Sequence, residues 1–466
     1  MGPLLGALVL LGAHLWGSAV AQCLSDGALA RIADVGRRGL EGQRYNVTTE
    51  GALGKFDFHF APANYTTAGV NPSSRYLVPR LGPWRDEGDL GNSTNWRKNE
   101  LTTLTSRQAL VVVMCTPPPV LLWSLETAIL YRMNRTASHT PGAPISNTEN
   151  SATLPAAMTN APLLVVMTAD SNTERDVRSA FGAADLNMSV ATIVINGTSS
   201  LLDFGTRAIL DGCDLFQLCM RVHGSPAQTS TAAFKAYETR RFPILLLEPD
   251  FPATDAPLYP IADRPMRRGP TTEAGLELRR GLLSDAVEKH MKASGLELRQ
   301  RVGFHPVELD KRRCLLDSKY HPYGTGNCFG TSSDGRYTLS DDYKLPANVS
   351  SLVVVVVGAN HAATGNAADN QLLHRKNPVA DPGDLAGSAE FYLGGAATPA
   401  DGGLFAYAFA EDCATGATGS FCKAVESQTG GEAGALLRLE AYLDNESGTR
   451  PSPGLVHPVA LVFTAK

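Results

Sequence analysis

The chain is short of charge. Asp, Glu, Lys and Arg make up 19% of its 466 residues and the formal net charge is -5, a balance too mild to require nucleic acid as a partner. No basic run carries the aromatic interleaving that such binding asks for. Long hydrophobic runs are missing as well: beyond the N-terminus no stretch approaches the ~18 uninterrupted apolar residues of a membrane span. The familiar catalytic signatures are absent in their turn. "GATGSFC" and "LAGSAEF" fail the G-x-S-x-G spacing, so a nucleophile elbow is not supported. H-E-x-x-H, a Walker loop, a G-x-G-x-x-G after a strand and any C-x-x-C pair are also missing, which removes support for the zinc-protease and nucleotide-binding classes.

What is present points outward from the cytosol. The N-terminus, "MGPLLGALVLLGAHLWGSAVAQC", is an apolar run ending in Ala19-Val20-Ala21, a small-x-small pattern that suits cleavage before Gln22. All 8 cysteines lie beyond that cut, an even count that fits disulfides in an oxidising compartment. N-x-S/T sequons begin at Asn46, Asn64, Asn92, Asn134, Asn187, Asn196, Asn348 and Asn445. The expectation is a secreted glycoprotein of a eukaryotic secretory route. Cys314 with Cys328, and Cys413 with Cys422, would each close a short polar loop. If "LLDFGTRAILDGCDLFQLCMRV" is one helix, Cys213 and Cys219 lie on different faces, beyond disulfide reach, so either Gly212 breaks that helix or the two cysteines pair elsewhere.

With 44 glycines and 29 prolines the chain is rich in turns. We divide it into a signal peptide (1–21), a loop-rich region with a strand at 55–60 (22–105), an α/β lobe (106–250), a proline-rich linker (251–271), a helix with a disulfide loop (272–344) and a C-terminal α/β lobe (345–466). "ALVVVMC", "PLLVVMTAD", "ATIVIN", "FPILLLEPD" and "SSLVVVVVGA" are continuous apolar strands, and "SNTERDVRSAFGAAD" is a helix capped by Ser171 or Asn172. "VLLWSLETAILYRM" has no clean period and stays open between helix and strand. In "TTEAGLELRRGLLSDAVEKHMKASG" Leu276, Leu283, Val287 and Met291 form one helical stripe, with His290 read as a surface residue. Apolar runs without alternation imply strands covered on both faces, hence an α/β fold with a mixed, layered sheet in two disulfide-stapled lobes.

Five consecutive valines offer no polar group, so chemistry must wait for the loop that follows. In open α/β sheets ligands bind beyond the carboxyl ends of parallel strands. The residues found there are Cys115-Thr116, Thr168 and Asp170, Asn196, Glu248 and Asp250, and Asn360-His361 with Thr364. His361 is the leading candidate for general acid or base, because an imidazole titrates near neutrality. Asn360 and Thr364 would position the substrate, and Asp170 or Glu248 would supply a carboxylate partner. Asp57 and His59 share one face of "KFDFHF" and could ligate a metal. The plainer readings are a turn-stabilising histidine and a solvated strand face.

"GANHAATGNA", with "CTPPP" after a valine strand and the "TAD…VRSAF" unit, resembles a group of exported proteins to which no activity attaches. The resemblance covers the chain from about residue 109 onward and implies that His361 belongs to a site. Two functions follow as expectations, with no cofactor specified. One is an extracellular enzyme acting on a small or carbohydrate-like substrate. The other is a non-catalytic binding or surface protein that uses the basic stretch 264–313, with Arg267, Arg268, Arg279 and Arg280, to hold an acidic glycan; that stretch carries 12 Lys/Arg against 7 Asp/Glu.

Overall fold

A computed structural model describes residues 23–55, 74–81, 104–120, 122–133, 138–139, 143–150, 153–154, 159–182, 188–196, 199, 202, 204, 214–224, 226–250, 256–258, 270–307, 310–317, 328, 336–341, 352–359, 370–374, 379–380, 382–385, 387–398, 403–413, 417–424, 437–441 and 456–465. Two sheets organise it, one built from the first half of the chain and one from the second.

The first sheet contains β1 (Tyr45–Lys55), β2 (Ser74–Leu81), β3 (Ala109–Cys115), β4 (Leu122–Met133), β5 (Ser138–His139), β6 (Ala143–Pro144), β7 (Glu149–Asn150), β8 (Pro162–Thr168), β9 (Ser189–Val194), β10 (Asp214–His223) and β11 (Phe242–Pro249). Its main path runs β5-β4-β10-β2-β1-β11-β3-β8-β9, with β6 and β7 also paired to β4. The second sheet contains β12 (Leu296–Val307), β13 (Arg336–Ser340), β14 (Val353–Ala359), β15 (Asn370–His374), β16 (Val379–Ala380), β17 (Leu404–Ala410), β18 (Cys422–Ala424), β19 (Leu437–Ala441) and β20 (Val459–Ala465). Its order is β16-β15-β19-β13-β12-β20-β14-β17-β18. The fold is therefore α/β with two mixed sheets, as the apolar runs imply. The pairing, however, is largely antiparallel. Among the described strands only β8–β9 and β17–β18 run parallel.

Helices cover these sheets. Helix α1 (Asp26–Gly42) starts at Ser25, whose hydroxyl accepts from the Ala28 amide, and packs on β1, β11 and β3. Helix α2 (Ser171–Gly182) crosses from β8 to the parallel β9, which gives the βαβ unit read from the sequence. Helix α3 (Pro270–Ala293) presents Leu283, Val287 and Met291 to the second core, where α4 (Ser388–Leu393) joins it over β17. Gly295, at φ +85, turns the chain after α3. His290 is not a solvated helix residue: its ring meets Phe391 and Tyr392 edge-on, with centroids 5.3 and 5.4 Å away.

Two segments correct the sequence reading. β4 resolves the open choice in favour of a strand, and "DLFQLCMRVH" is strand β10, not part of a helix. Both obey a period of two. Trp123, Leu125 and Ile129 with Phe216, Leu218, Met220 and Val222 enter the core, while Ser124, Glu126, Gln217, Cys219 and Arg221 take the opposite face. The N-terminal region, expected to be loop-rich, contains the 17-residue α1. Residues 56–60, which carry Asp57 and His59, lie outside the described residues, as does Cys213.

The first sheet curls until its far edges meet. An antiparallel bridge joins Ser146 to Ile195, just past β9. Beside it the Asn147 side chain takes the place of a neighbouring strand: its Oδ1 accepts the Val194 amide at 2.7 Å and its Nδ2 donates to the Thr192 carbonyl at 3.2 Å. Glu149 Oε1 accepts from the same Nδ2 at 2.7 Å, which fixes the amide's orientation. Asn147→Ala leaves the buried Val194 N–H without this acceptor, and we expect a cost of about 1–3 kcal/mol. Hydrogen exchange checks the assignment. The Val194 amide should exchange faster in the variant, and wild-type protection there would refute the seam.

Candidate functional site

The strand directions decide which sequence-derived residues can meet. β3 is antiparallel to both β8 and β11, so Ala109 pairs with Thr168 and with Leu247, whereas Cys115 pairs with Pro162. Thr168, Asp170, Asn196, Glu248 and Asp250 accordingly gather on one rim of the first sheet, while Cys115-Thr116 leaves at the opposite rim. There Cys115 is bonded to Cys23. A common exit for all the buried strands is thus not formed, because it required them to run parallel. β14, moreover, belongs to the second sheet between β20 and β17. Asn360, His361 and Thr364 follow it but lie outside the described residues.

Asp170 is 2% exposed and caps α2. Its Oδ1 accepts the Asn172 amide at 2.9 Å and its Oδ2 the Thr173 hydroxyl at 3.3 Å, so the cap is Asp170 and not Ser171 or Asn172. Arg107 Nε stands 3.9 Å from the same Oδ2, a compensating charge for a carboxylate withdrawn from water. The backbone continues the network, with Ser171 N–H donating to the Ala256 carbonyl at 2.8 Å and Leu258 N–H to the Ala169 carbonyl at 2.8 Å.

Tyr45 closes that network from β1. Its hydroxyl donates to Asp176 Oδ2 at 3.0 Å and lies 3.4 Å from the Thr173 hydroxyl. Burial is the main reason its phenol is pushed up to about 12; the Thr173 contact opposes the shift and the Asp176 charge adds to it. The free phenol of an unfolded chain ionises near 10. The unfolded state therefore sheds a proton that the native state keeps, and stability present below about pH 10 is lost as pH rises toward 12. Tyr45→Phe should flatten this alkaline decline in a pH series of urea midpoints while costing about 1 kcal/mol at neutral pH for the lost hydrogen bond. An unchanged alkaline slope would show that other groups set it.

Glu248 has a different setting. It is half-buried on β11, directly across from the exposed Asn46 of β1. It remains on the sheet face beside the rim, whereas Asp170 turns into the end of α2.

The sequence reading missed a polar face. Across β4 and β10, Glu126 stands opposite Cys219 and Ser124 opposite Arg221, and Arg221 in turn stands opposite Tyr76 of β2. Directly opposed residues of this kind have Cβ atoms about 4.5–5.5 Å apart, so a carboxylate, a cysteine sulfur, a guanidinium and a phenol lie side by side on that face. Thr148 directs its hydroxyl to Glu126 Oε2 at 3.5 Å, and Ser124, Gln217 and Arg221 are buried. The signal was the strict alternation in "FQLCMRV", which the possible helix across the longer segment obscured. The described residues contain no cluster of three or more potential metal ligands.

Several arginines of the basic stretch have partners of their own. Arg279 donates to Thr398 Oγ1 at 3.0 Å and Arg280 to the His457 carbonyl. Arg301 pairs with Glu288 at 2.5 Å and Asp285 at 3.5 Å, Arg299 with Glu297 at 3.2 Å, and Arg313 with Asp317 at 3.5 Å. Arg267 and Arg268 lie outside the described residues.

No family model matches the chain, and no curated protein matches it. Among solved structures it is similar to an uncharacterized protein from Burkholderia cenocepacia, with 11% identity over 93% of this chain and 86% of that one and a TM-score of 0.36. An anti-sigma factor domain-containing protein aligns at 7% identity over 88% of this chain and 86% of that one, with a TM-score of 0.15. At these scores neither likeness bears on the fold or the activity.

Proposed function

We propose that the chain is an exported glycoprotein that acts outside the cytosol, on a small or carbohydrate-like substrate, through the segment that leaves β14. The observation that carries the export reading is the set of cysteine pairs Cys23–Cys115, Cys314–Cys328 and Cys413–Cys422, all within disulfide geometry. Such bonds persist in oxidising compartments. The cleavable-looking N-terminus and the sequons agree with it. No helix among the described residues is long and apolar enough to cross a membrane.

The placement of the site is supported by β14 itself. It is an interior strand, buried along all seven residues and ending at Ala359, so residue 360 is the first that can offer a polar side chain. His361 would act as general acid or base there, with Asn360 and Thr364 positioning the substrate. Asp170, committed to α2 and Arg107, is not assigned a part in this chemistry. The alternative, capture of an acidic glycan by the basic stretch, has less to support it because Arg279, Arg280, Arg299, Arg301 and Arg313 are held by carboxylates, a hydroxyl or a carbonyl.

The test uses protein purified from culture medium and a panel of chromogenic glycosides and esters. His361→Ala should abolish whatever turnover the wild type shows and leave the melting temperature unchanged. Unaltered turnover, or a variant that melts much earlier, defeats the catalytic assignment.

A further inference from the structure

We infer that Asn46 carries an N-linked glycan, an assignment that rests on the export reading above. The sequon Asn46-Val47-Thr48 lies at the start of β1, immediately after the α1–β1 turn in which Arg44 adopts φ 68. Alternation along the strand turns Val47 toward the core and leaves both Asn46 and Thr48 exposed on one side. A chain glycosylated before folding can close around its core only if the modified asparagine ends in water, and Asn46 meets that condition.

There is also room. β11 pairs with the first part of β1 on one flank, Tyr45 with Pro249 through Thr49 with Leu245. On the other flank β2 pairs only with Gly51–Lys55, past the irregularity between Thr49 and Gly51. Among the described residues no strand occupies the remaining length. A glycan on Asn46 would overhang this flank and shield it from edge-to-edge pairing with another chain, as a covered edge does in other sheets.

Asn196 shows the contrast. It is half-buried, its carbonyl accepts the Ser199 amide at 3.1 Å, and it directly follows the Ile195 bridge that closes the curled sheet. In the transfer to Asn46, a bond forms between Nδ2 and the anomeric carbon of a lipid-diphosphate-linked oligosaccharide. The carbon–oxygen bond to the diphosphate breaks, the amide gives up one proton, and the lipid diphosphate departs.

The experiment is direct, because trypsin cuts after Arg44 and Lys55 and releases β1 as a peptide in which Asn46 is the sole asparagine. The chain is expressed in a eukaryotic secretory host, collected from the medium, digested, and treated with a peptide N-glycosidase in heavy-oxygen water. The peptide should appear only after treatment, with Asn46 converted to labelled Asp. Asn46→Gln and Thr48→Ala should each migrate one glycan faster, the second variant guarding against a folding defect in the first. A secreted chain glycosylated elsewhere but yielding an unmodified Tyr45–Lys55 peptide overturns this inference and leaves export standing. A chain retained in the cytosol with every sequon bare overturns both.

Discussion

Removing the Cys23–Cys115 bond is expected to cost about 4.6 kcal/mol, close to twice the roughly 2.6 kcal/mol expected for Cys413–Cys422, from the loop-entropy relation. The first bond closes a separation of 92 residues and the second one of 9. Packing adds to the contrast. Cys115 is fully buried at the end of β3, and Arg240 holds the chain beside Cys23 by reaching the Leu24 carbonyl and the Asp26 carboxylate, the latter at 2.7 Å. Without the bond α1 keeps only its noncovalent contacts with the sheet. Urea unfolding of Cys23→Ala/Cys115→Ala against Cys413→Ala/Cys422→Ala measures the difference. Equal losses would mean that the long loop is already restrained in the unfolded chain.

Gly358→Ala should destabilise by about 1–3 kcal/mol, the usual penalty for overpacking a filled core. Gly358 stands directly across from Phe405 of β17, and a Cβ there would lie 2.5 Å from the Phe405 ring. The glycine is thus a socket for a cross-strand aromatic ring, which makes its role one of packing more than of loop geometry. Two controls sharpen the result. Phe405→Leu combined with Gly358→Ala should cost less than the sum of the single changes, since the clash is removed once the ring is gone. Gly281→Ala, on α3 with nothing within 4 Å of the added carbon, should instead stabilise by up to about 1 kcal/mol. If the two alanine variants unfold alike, the steric argument fails.

These cases show what the sequence could and could not disclose. Buried strands such as β3, β8 and β14 were legible because unbroken β-branched runs leave few alternatives, and the two short disulfides followed from cysteine spacing. Helix α1 was not. Its glycines lower local helix propensity, yet Gly36 and Gly39 are where Phe181 and Ala180 of α2 press against it, with a Cβ at Gly36 falling 2.1 Å from the Phe181 ring. That is a tertiary reason, invisible to any window on the chain. Strand direction was equally hidden: an apolar run reads the same both ways, so the single rim expected from parallel strands became two rims and two sheets. Asp170 was picked for its place after β8, which was correct as a position, but its carboxylate is spent on the first turn of α2. His361, Asn360, Thr364, Asp57 and His59 fall outside the described residues.

The Asn147 clasp has a bearing on how this protein can change through substitution. The other long junctions described in the first sheet are ladders of main-chain bonds, which no exchange of side chains short of proline can delete. Among the described residues the closing junction, by contrast, runs through one carboxamide and a single bridge. A one-atom replacement, oxygen for the amide nitrogen, reverses one of its two polar ends and sets a carboxylate against the Thr192 carbonyl, so a single substitution can part the junction at which the sheet closes.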